Sequence, residues 1–200
     1  MTLIDDRSGL TARRLEVLAS IAKTLAESGH YGVGMRALAQ AAGLNPGTLY
    51  HHFQSKDDAL LSICLIAQER TWADLRSAMQ AHQDFAPRIR ALFDAHRGSL
   101  AELGDFLQVY INLREHVPTA MAAPLDSGWL KYRRLLARLF KEAMQAGEIE
   151  DGSDVKHLSR LVIALIRVLN QLHRAGRVSE LAAFSDLAVE TLLRGLVRKR

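Results

Sequence analysis

The stretch MRALAQAAGLNPGTLYHHF, Met35–Phe53, decides the fold of this 200-residue chain. Its first half has apolar residues at helical spacing, and Gly43 then begins a short break that leads to Asn45 and Pro46. Asparagine is a favoured helix N-cap, and proline is favoured at the next position because the N–H that it lacks would have no helical partner there. The stretch therefore predicts two short helices joined by a tight turn, which is the spacing of a helix-turn-helix motif.

The second short helix has an apolar face and a polar face. Leu49 and Phe53 lie four residues apart and are expected to point into a core. The opposite face consists of small and polar residues, namely Gly47, Thr48, Tyr50 and His51. A small residue lets the backbone approach DNA, and polar side chains can reach base edges or phosphates. Similar helix pairs also occur in bundles that never touch DNA, so the spacing alone leaves both interpretations open.

Helical spacing continues on both sides of this motif, and no convincing alternating strand is found. Gly29 is expected to end the first helix, and Ser55 with Asp58 forms a capping-box-like start for a helix that runs to about Met79. Further helices are predicted near Ala86–Leu103, Gly104–His116, Leu130–Ala146, Asp154–Arg174 and Glu180–Val197. We therefore expect an all-α fold of about nine helices.

The stretch that begins with Gly29, His30 and Tyr31 and continues with Met35–Leu60 resembles the TetR family of bacterial transcriptional regulators. The segment LYHHF, followed by Ser55, Lys56 and an acidic pair, is specific to that family in this context. The resemblance implies a homodimer with an N-terminal helix-turn-helix DNA-binding domain and a C-terminal helical bundle for ligand binding and dimerisation. We expect a tail at 1–10, the DNA-binding domain at 11–60 with its motif at 34–53, and the C-terminal domain at 61–200.

The resemblance also implies which residues contact double-stranded operator DNA. These residues are Arg36, Asn45, Pro46, Gly47, Thr48, Tyr50, His51 and Lys56. Lys56 follows the second short helix directly, which is a suitable position for a phosphate contact.

The last two helices carry more apolar surface than a single domain core requires. The helix near Asp154–Arg174 is apolar on more than one side, and surplus apolar surface is typical of a helix that meets a partner. In TetR-like proteins the last two helices pair with their counterparts in a four-helix interface. The same pattern also fits two internal core helices, but we expect dimerisation, because one helix-turn-helix reads too few base pairs to be selective.

The C-terminal half also contains aromatic and polar residues that could line a pocket for a small-molecule effector of unknown identity. The candidate ligand-binding residues are Trp72, Phe93, Phe106, Tyr110, Trp129, Tyr132, Ile166, Asn170 and His173, with Tyr110 and Asn170 foremost. Aromatic residues at helical spacing are more often core residues than ligand contacts, so both interpretations stay open.

Composition argues against several other classes of protein. The single cysteine, Cys64, leaves no disulfide framework or cysteine-based zinc site, and the eight histidines show no metal-ligand spacing. We therefore predict no cofactor, no metal and no catalytic residues. The longest apolar run that we find, Leu161–Ile166, is far shorter than the roughly 18 residues of a membrane span, and the first ten residues do not resemble a signal peptide. A cytoplasmic protein without a membrane partner is expected.

The net charge of +4 does not by itself indicate DNA binding. Residues 1–60 contain six basic and six acidic side chains, so the prediction rests on the placement of a few residues. The sequence predicts a ligand-responsive, dimeric TetR-like repressor that binds a palindromic operator and is released by its effector. The alternatives are a TetR-like activator, a DNA-binding protein without an effector, and an enzyme or adaptor on a related helical scaffold.

Overall fold

The computed structural model describes residues 12–29, 32–113 and 119–197. Of residues 119 and 120 it describes only the backbone. Every regular element in these ranges is a helix, and the all-α prediction is confirmed. The elements are α1 (Ala12–Ser28), α2 (Met35–Ala41), α3 (Pro46–His52), α4 (Lys56–Gln80), α5 (Phe85–Leu113), α6 (Thr119–Gln145), α7 (Val155–Arg174) and α8 (Glu180–Leu196). The predicted tail at 1–10 and the predicted helix end at His116 lie outside the described residues.

The described residues contain eight helices rather than about nine, because a predicted boundary is a kink. The sequence suggested that one helix ends at Leu103 and another begins at Gly104. In the structure α5 continues through this point, and Leu103 alone departs from helical geometry, with φ −125° and ψ 24°. The position of the irregularity was predicted, but not its form.

Helix α6 begins at Thr119, so the predicted start near Leu130 was wrong. Pro124 lies inside this helix, where a proline removes one backbone hydrogen bond. Pro124 is the sixth residue of α6, past the turn in which the N–H groups have no helical partner, so the helix loses one bond there and still continues to Gln145. The helix therefore tolerates a residue that sequence patterns treat as a break.

The chain forms two compact units, and each is described by itself. The first unit comprises the chain up to Gln68 together with Asp105–Leu125, and the second comprises Glu69–Gly104 and Asp126–Arg200. The core of the first unit contains side chains that are at most 2% exposed, among them Val17, Leu18, Ile21, Leu25, Leu38, Leu49, Phe53, Leu60 and Ile63.

Glycine permits the turn between α2 and α3. Gly43 has φ +65°, a conformation that residues with a Cβ adopt at a cost. The Leu44 N–H then donates to the Ala39 carbonyl at 2.8 Å, which closes the end of α2. This compact turn directs the chain into α3.

The second unit has an aromatic and aliphatic core. The rings of Phe85 and Phe140 lie 5.7 Å apart between centroids, and both side chains are buried. The Phe85 N–H, at the start of α5, donates to the Glu148 carboxylate at 2.7 Å, a favourable place for a negative charge. Asp154 caps α7 by accepting hydrogen bonds from two backbone N–H groups, and α7 packs against α8.

Candidate functional site

The N-terminus of α3 is capped as the sequence predicted. The side-chain oxygen of Asn45 accepts a hydrogen bond from the Thr48 N–H at 2.8 Å, and Pro46 is the first helical residue. The Thr48 hydroxyl donates to the same oxygen at 3.0 Å. The cap therefore sets both the direction of α3 and the rotamer of Thr48, whose hydroxyl lone pairs remain able to accept a further bond.

Helix α3 presents a polar surface opposite its buried side. Leu49 and Phe53 are 0% and 1% exposed, whereas the ring of Tyr50 is 54% exposed. Of the predicted DNA-contacting residues, Arg36, Asn45, Pro46, Gly47, Tyr50 and His51 are exposed, and Thr48 and Lys56 are half-buried. All eight belong to the first unit. We call this set the α3 surface.

Lys56 has a structural contact that sequence reasoning missed. Its Nζ donates to the carbonyl of Val33 at 3.0 Å and so ties the first residue of α4 to the segment before α2. Beside it, the Asp58 N–H donates to Ser55 Oγ at 3.1 Å, and the Asp58 carboxylate accepts from the Gln54 N–H at 2.9 Å. The turn that follows α3 is therefore held at both ends.

Arg14 is a second residue that the sequence did not single out. Its guanidinium carbon lies 4.8 Å from the centroid of the Phe53 ring, in a cation–π arrangement that links α1 to the end of α3. The position of α3 thus depends on contacts with residues far away in the sequence.

The predicted ligand-binding residues fall in both units. Phe106 and Tyr110 belong to the first unit, and the other seven belong to the second. The Gln68 side-chain amide donates to the Tyr110 hydroxyl at 3.2 Å and to the Leu125 carbonyl at 2.9 Å. Gln68, which no sequence pattern indicated, therefore orients the polar end of Tyr110.

Asn170 pairs with a buried histidine in the second unit. Its side-chain oxygen lies 2.9 Å from His96 Nε2, and both residues are buried. Burial lowers the pKa of His96 to about 4, while the hydrogen bond to Asn170 acts in the opposite direction, so this imidazole is neutral at pH 7. His96 occupies one of the regularly spaced positions of the apolar pattern of α5, and this spacing could have indicated from the sequence that His96 is buried.

His173 lies against the kinked part of α5. A Cβ added at Gly104 would collide with His173 Nε2, so only glycine leaves room for the ring. His173 Nδ1 is buried and has no hydrogen-bond partner among the described residues.

The remaining candidates differ in exposure. Phe93 and Ile166 are buried in the second unit, and Trp129 packs on Tyr132 with ring centroids 5.8 Å apart. Burial raises the pKa of the Tyr132 hydroxyl. Trp72 is half-buried and lines a groove formed by α4, α5 and α6.

Possible metal ligands are not clustered in the described ranges, and Cys64 is buried. No group of three His, Cys, Asp or Glu side chains there could hold a metal ion. Burial raises the pKa of the Cys64 thiol to about 12, which leaves it protonated and unreactive at pH 7. Among the helices described, none is long and apolar enough to cross a membrane.

Comparison with known proteins identifies the class and then the family. A capped helix-turn-helix in an all-helical chain is typical of DNA-binding transcriptional regulators, and the model described as "Bacterial regulatory proteins, tetR family" matches residues 17–63. The HTH-type transcriptional repressor KstR2 of Rhodococcus jostii (strain RHA1) is 47% identical over 173 residues, 86% of this chain and 85% of that protein. The chain belongs to the TetR family of transcriptional regulators.

Two further relatives agree with this assignment. The HTH-type transcriptional regulator UidR of Escherichia coli (strain K12) is 26% identical over 152 residues, 76% of each chain. The structure of the TetR family regulator PfmR from Thermus thermophilus has a TM-score of 0.80 at 25% identity, covering 95% of this chain and 100% of that one. The predictions of a TetR-like DNA-binding repressor, and of a protein that is not an enzyme, are confirmed by these relationships.

Proposed function

We propose that this protein represses transcription as a homodimer that places α3 of each copy in the major groove of one half of a palindromic operator. The supporting observation is the part of the α3 surface that lies on α3 itself, where Pro46, Gly47, Tyr50 and His51 are exposed while the opposite side of the helix is buried. A helix of this kind can enter the groove without losing core contacts. As an operator-binding protein, it would act in the cytoplasm.

Within the α3 surface, residues would have different roles. Gly47 would allow close approach of the backbone, while Thr48, Tyr50 and His51 would reach bases or phosphates. Arg36, exposed on α2, would contact a phosphate. Lys56 already donates to Val33, so its main contribution would be to hold the α3–α4 turn against the DNA backbone.

The proposed dimer interface is on α7 and α8. On α7, five apolar residues recur at alternating spacings of three and four, and all are half-buried or exposed: Leu158, Leu161, Leu165, Val168 and Leu172. We call this set the α7 seam. On α8, Leu187 is 65% exposed. Apolar residues at this spacing are typical of helices that pack against a second helix, and a second copy would supply it.

A small-molecule effector would release the repressor by binding more tightly to the conformation that cannot hold DNA. The buried polar pair of His96 and Asn170 lies among the apolar side chains of the second unit, which suits the binding domain of such a regulator.

A gel-shift experiment with the DNA upstream of its own gene tests this proposal. We expect a sequence-selective complex, and we expect Arg36→Ala to weaken it about ten-fold with a smaller salt slope, because one phosphate contact is lost. Lys23→Ala, which removes an exposed charge from α1, is the matched control and should bind normally. If no selective complex forms even at low salt, the proposed function is wrong.

A further inference from the structure

Residues of α4, α5 and α6 line an open groove in the second unit, which we call the basic groove. Its volume is about 350 Å³, within the range of small-molecule sites. Trp72, Met79 and Leu135 form its apolar wall. The half-buried Trp72 indole lines the groove, so it can pack against an apolar or planar group.

The same groove is lined by five cationic side chains, namely Arg76, Arg88, Lys131, Arg134 and Arg138. Among the described residues, only one carboxylate forms an ion pair with any of them. Glu142 accepts from Arg88 at 2.7 Å and from Arg138 at 2.5 Å, and hydrogen bonds from Arg138 and Arg88 lower its pKa.

Three of these cations are not compensated. Arg76, Lys131 and Arg134 have no ion-pair partner in the part of the chain that the structure describes. In addition, Arg88 Nε is buried and has no hydrogen-bond partner among the described residues. Several like charges around one groove create a positive potential that attracts an anion.

We propose that the basic groove binds a small organic phosphate with about the charge of a diphosphate, whose apolar or planar part packs on Trp72. A single carboxylate would neutralise only one of the three free cations, whereas a diphosphate carries roughly three negative charges. Guanidinium groups also match phosphate oxygens bidentately. The groove volume of about 350 Å³ favours a compact ligand over a nucleic-acid strand.

Tryptophan fluorescence reports on this groove directly. The chain has two tryptophans, so Trp129→Phe leaves Trp72 as the sole reporter. At low salt, ADP should change the emission of Trp72 saturably, and inorganic pyrophosphate should displace it. Adenosine, which absorbs like ADP but has no phosphate, should have no effect.

Charge variants identify the site. Arg134→Gln and Lys131→Gln, each in the Trp129→Phe background, should raise the dissociation constant for ADP about ten-fold, because each removes a charge-assisted contact. Both residues are exposed, so the fold should be retained, and this is checked by circular dichroism. Lys156→Gln, which neutralises an exposed cation on α7, is the matched control and should not change binding.

Several outcomes would overturn the inference. These are the absence of saturable ADP binding, equal weakening by Lys156→Gln, or displacement of ADP by random duplex DNA, which would make the groove a nucleic-acid surface. The fluorescence titrations of ADP contain no DNA, so failure here is distinguishable from failure of the proposed repressor function.

Discussion

Gly47 lies on the α3 surface at a point where the folded chain has room for a side chain. A Cβ added there would meet only Asn45 Oδ1, at an ordinary contact distance of 3.4 Å. We therefore expect Gly47→Ala to fold normally but to bind operator DNA at least ten-fold more weakly, because the new methyl group would occupy the space of a DNA backbone. Fluorescence anisotropy with labelled operator measures the affinity.

The control for this substitution is Gly98→Ala on α5. Nothing lies within 4 Å of a Cβ built at that position, so operator affinity and thermal stability should both be retained. Normal DNA binding by Gly47→Ala would remove Gly47 from the interface.

His96 makes folding stability depend on pH. Its folded pKa of about 4 lies below the ordinary value of 6.5, so the unfolded chain binds the proton more tightly. Stability should therefore fall as the pH drops from 6.5 towards 4, by up to about 3 kcal/mol from this group alone.

Urea unfolding at pH 7 and at pH 4.5 measures this dependence at one protein concentration. His96→Gln keeps an amide donor for Asn170 but cannot titrate, and it should lose less stability over that interval than the wild type. The comparison is needed because the pKa values of Glu142, Asp154 and Glu190 are also lowered. The contribution of these carboxylates to the folding stability therefore also decreases as the pH falls. Equal losses in the variant and the wild type would contradict the assignment.

At the scale of elements, Gly104 follows the kink of α5 at Leu103 and lies against His173. Gly104→Ala should destabilise the protein by roughly 1–3 kcal/mol, because the new methyl group collides with the imidazole. Adding His173→Ala should recover part of that loss, since the collision partner is removed. Additive losses in the double variant, measured by chemical denaturation, would show that the two positions are not coupled.

Local features of the elements were predictable, and contacts between distant residues were not. The cap at Asn45 and Pro46 and the end of α1 at Gly29 follow from backbone preferences within a few residues. The early start of α6 was missed because Pro124 is a helix breaker by preference, and only the folded context shows that one lost bond is tolerated.

For the α3 surface, too, local features were predictable and contacts between distant residues were not. Its exposed side followed from helical spacing, and the family resemblance supplied the candidate DNA contacts. The bond from Lys56 to Val33 joins residues 23 positions apart, and that between His96 and Asn170 joins residues 74 positions apart, and no local sequence pattern indicates which residue pairs with which. The same holds for the basic groove, whose cations come from three different helices.

At the scale of the whole molecule, the proposed dimer depends on the α7 seam. Leu161 is 47% exposed in the single chain, so Leu161→Glu should not disturb the core. It should convert the dimer to a monomer at micromolar concentration and reduce operator affinity at least ten-fold, because buried charge is costly at an interface. Sedimentation velocity measures the oligomeric state.

A matched control is available on α6. Leu130 is 44% exposed and lies outside the α7 seam, so Leu130→Glu should remain dimeric and bind DNA. A stable dimer of Leu161→Glu would place the interface elsewhere.

The division into two units bears on how such a regulator could be re-engineered. Helices α4, α5 and α6 each contribute residues to both units, and the first unit includes Asp105–Leu125 as well as the chain up to Gln68. A chimera with a single junction would transfer only the N-terminal part of the donor's first unit. It would leave out the part of that unit's core that comes from Asp105–Leu125, including the buried Leu107 and Leu113. Two grafted segments, joined inside helices, would be needed to transfer the whole first unit into another regulator.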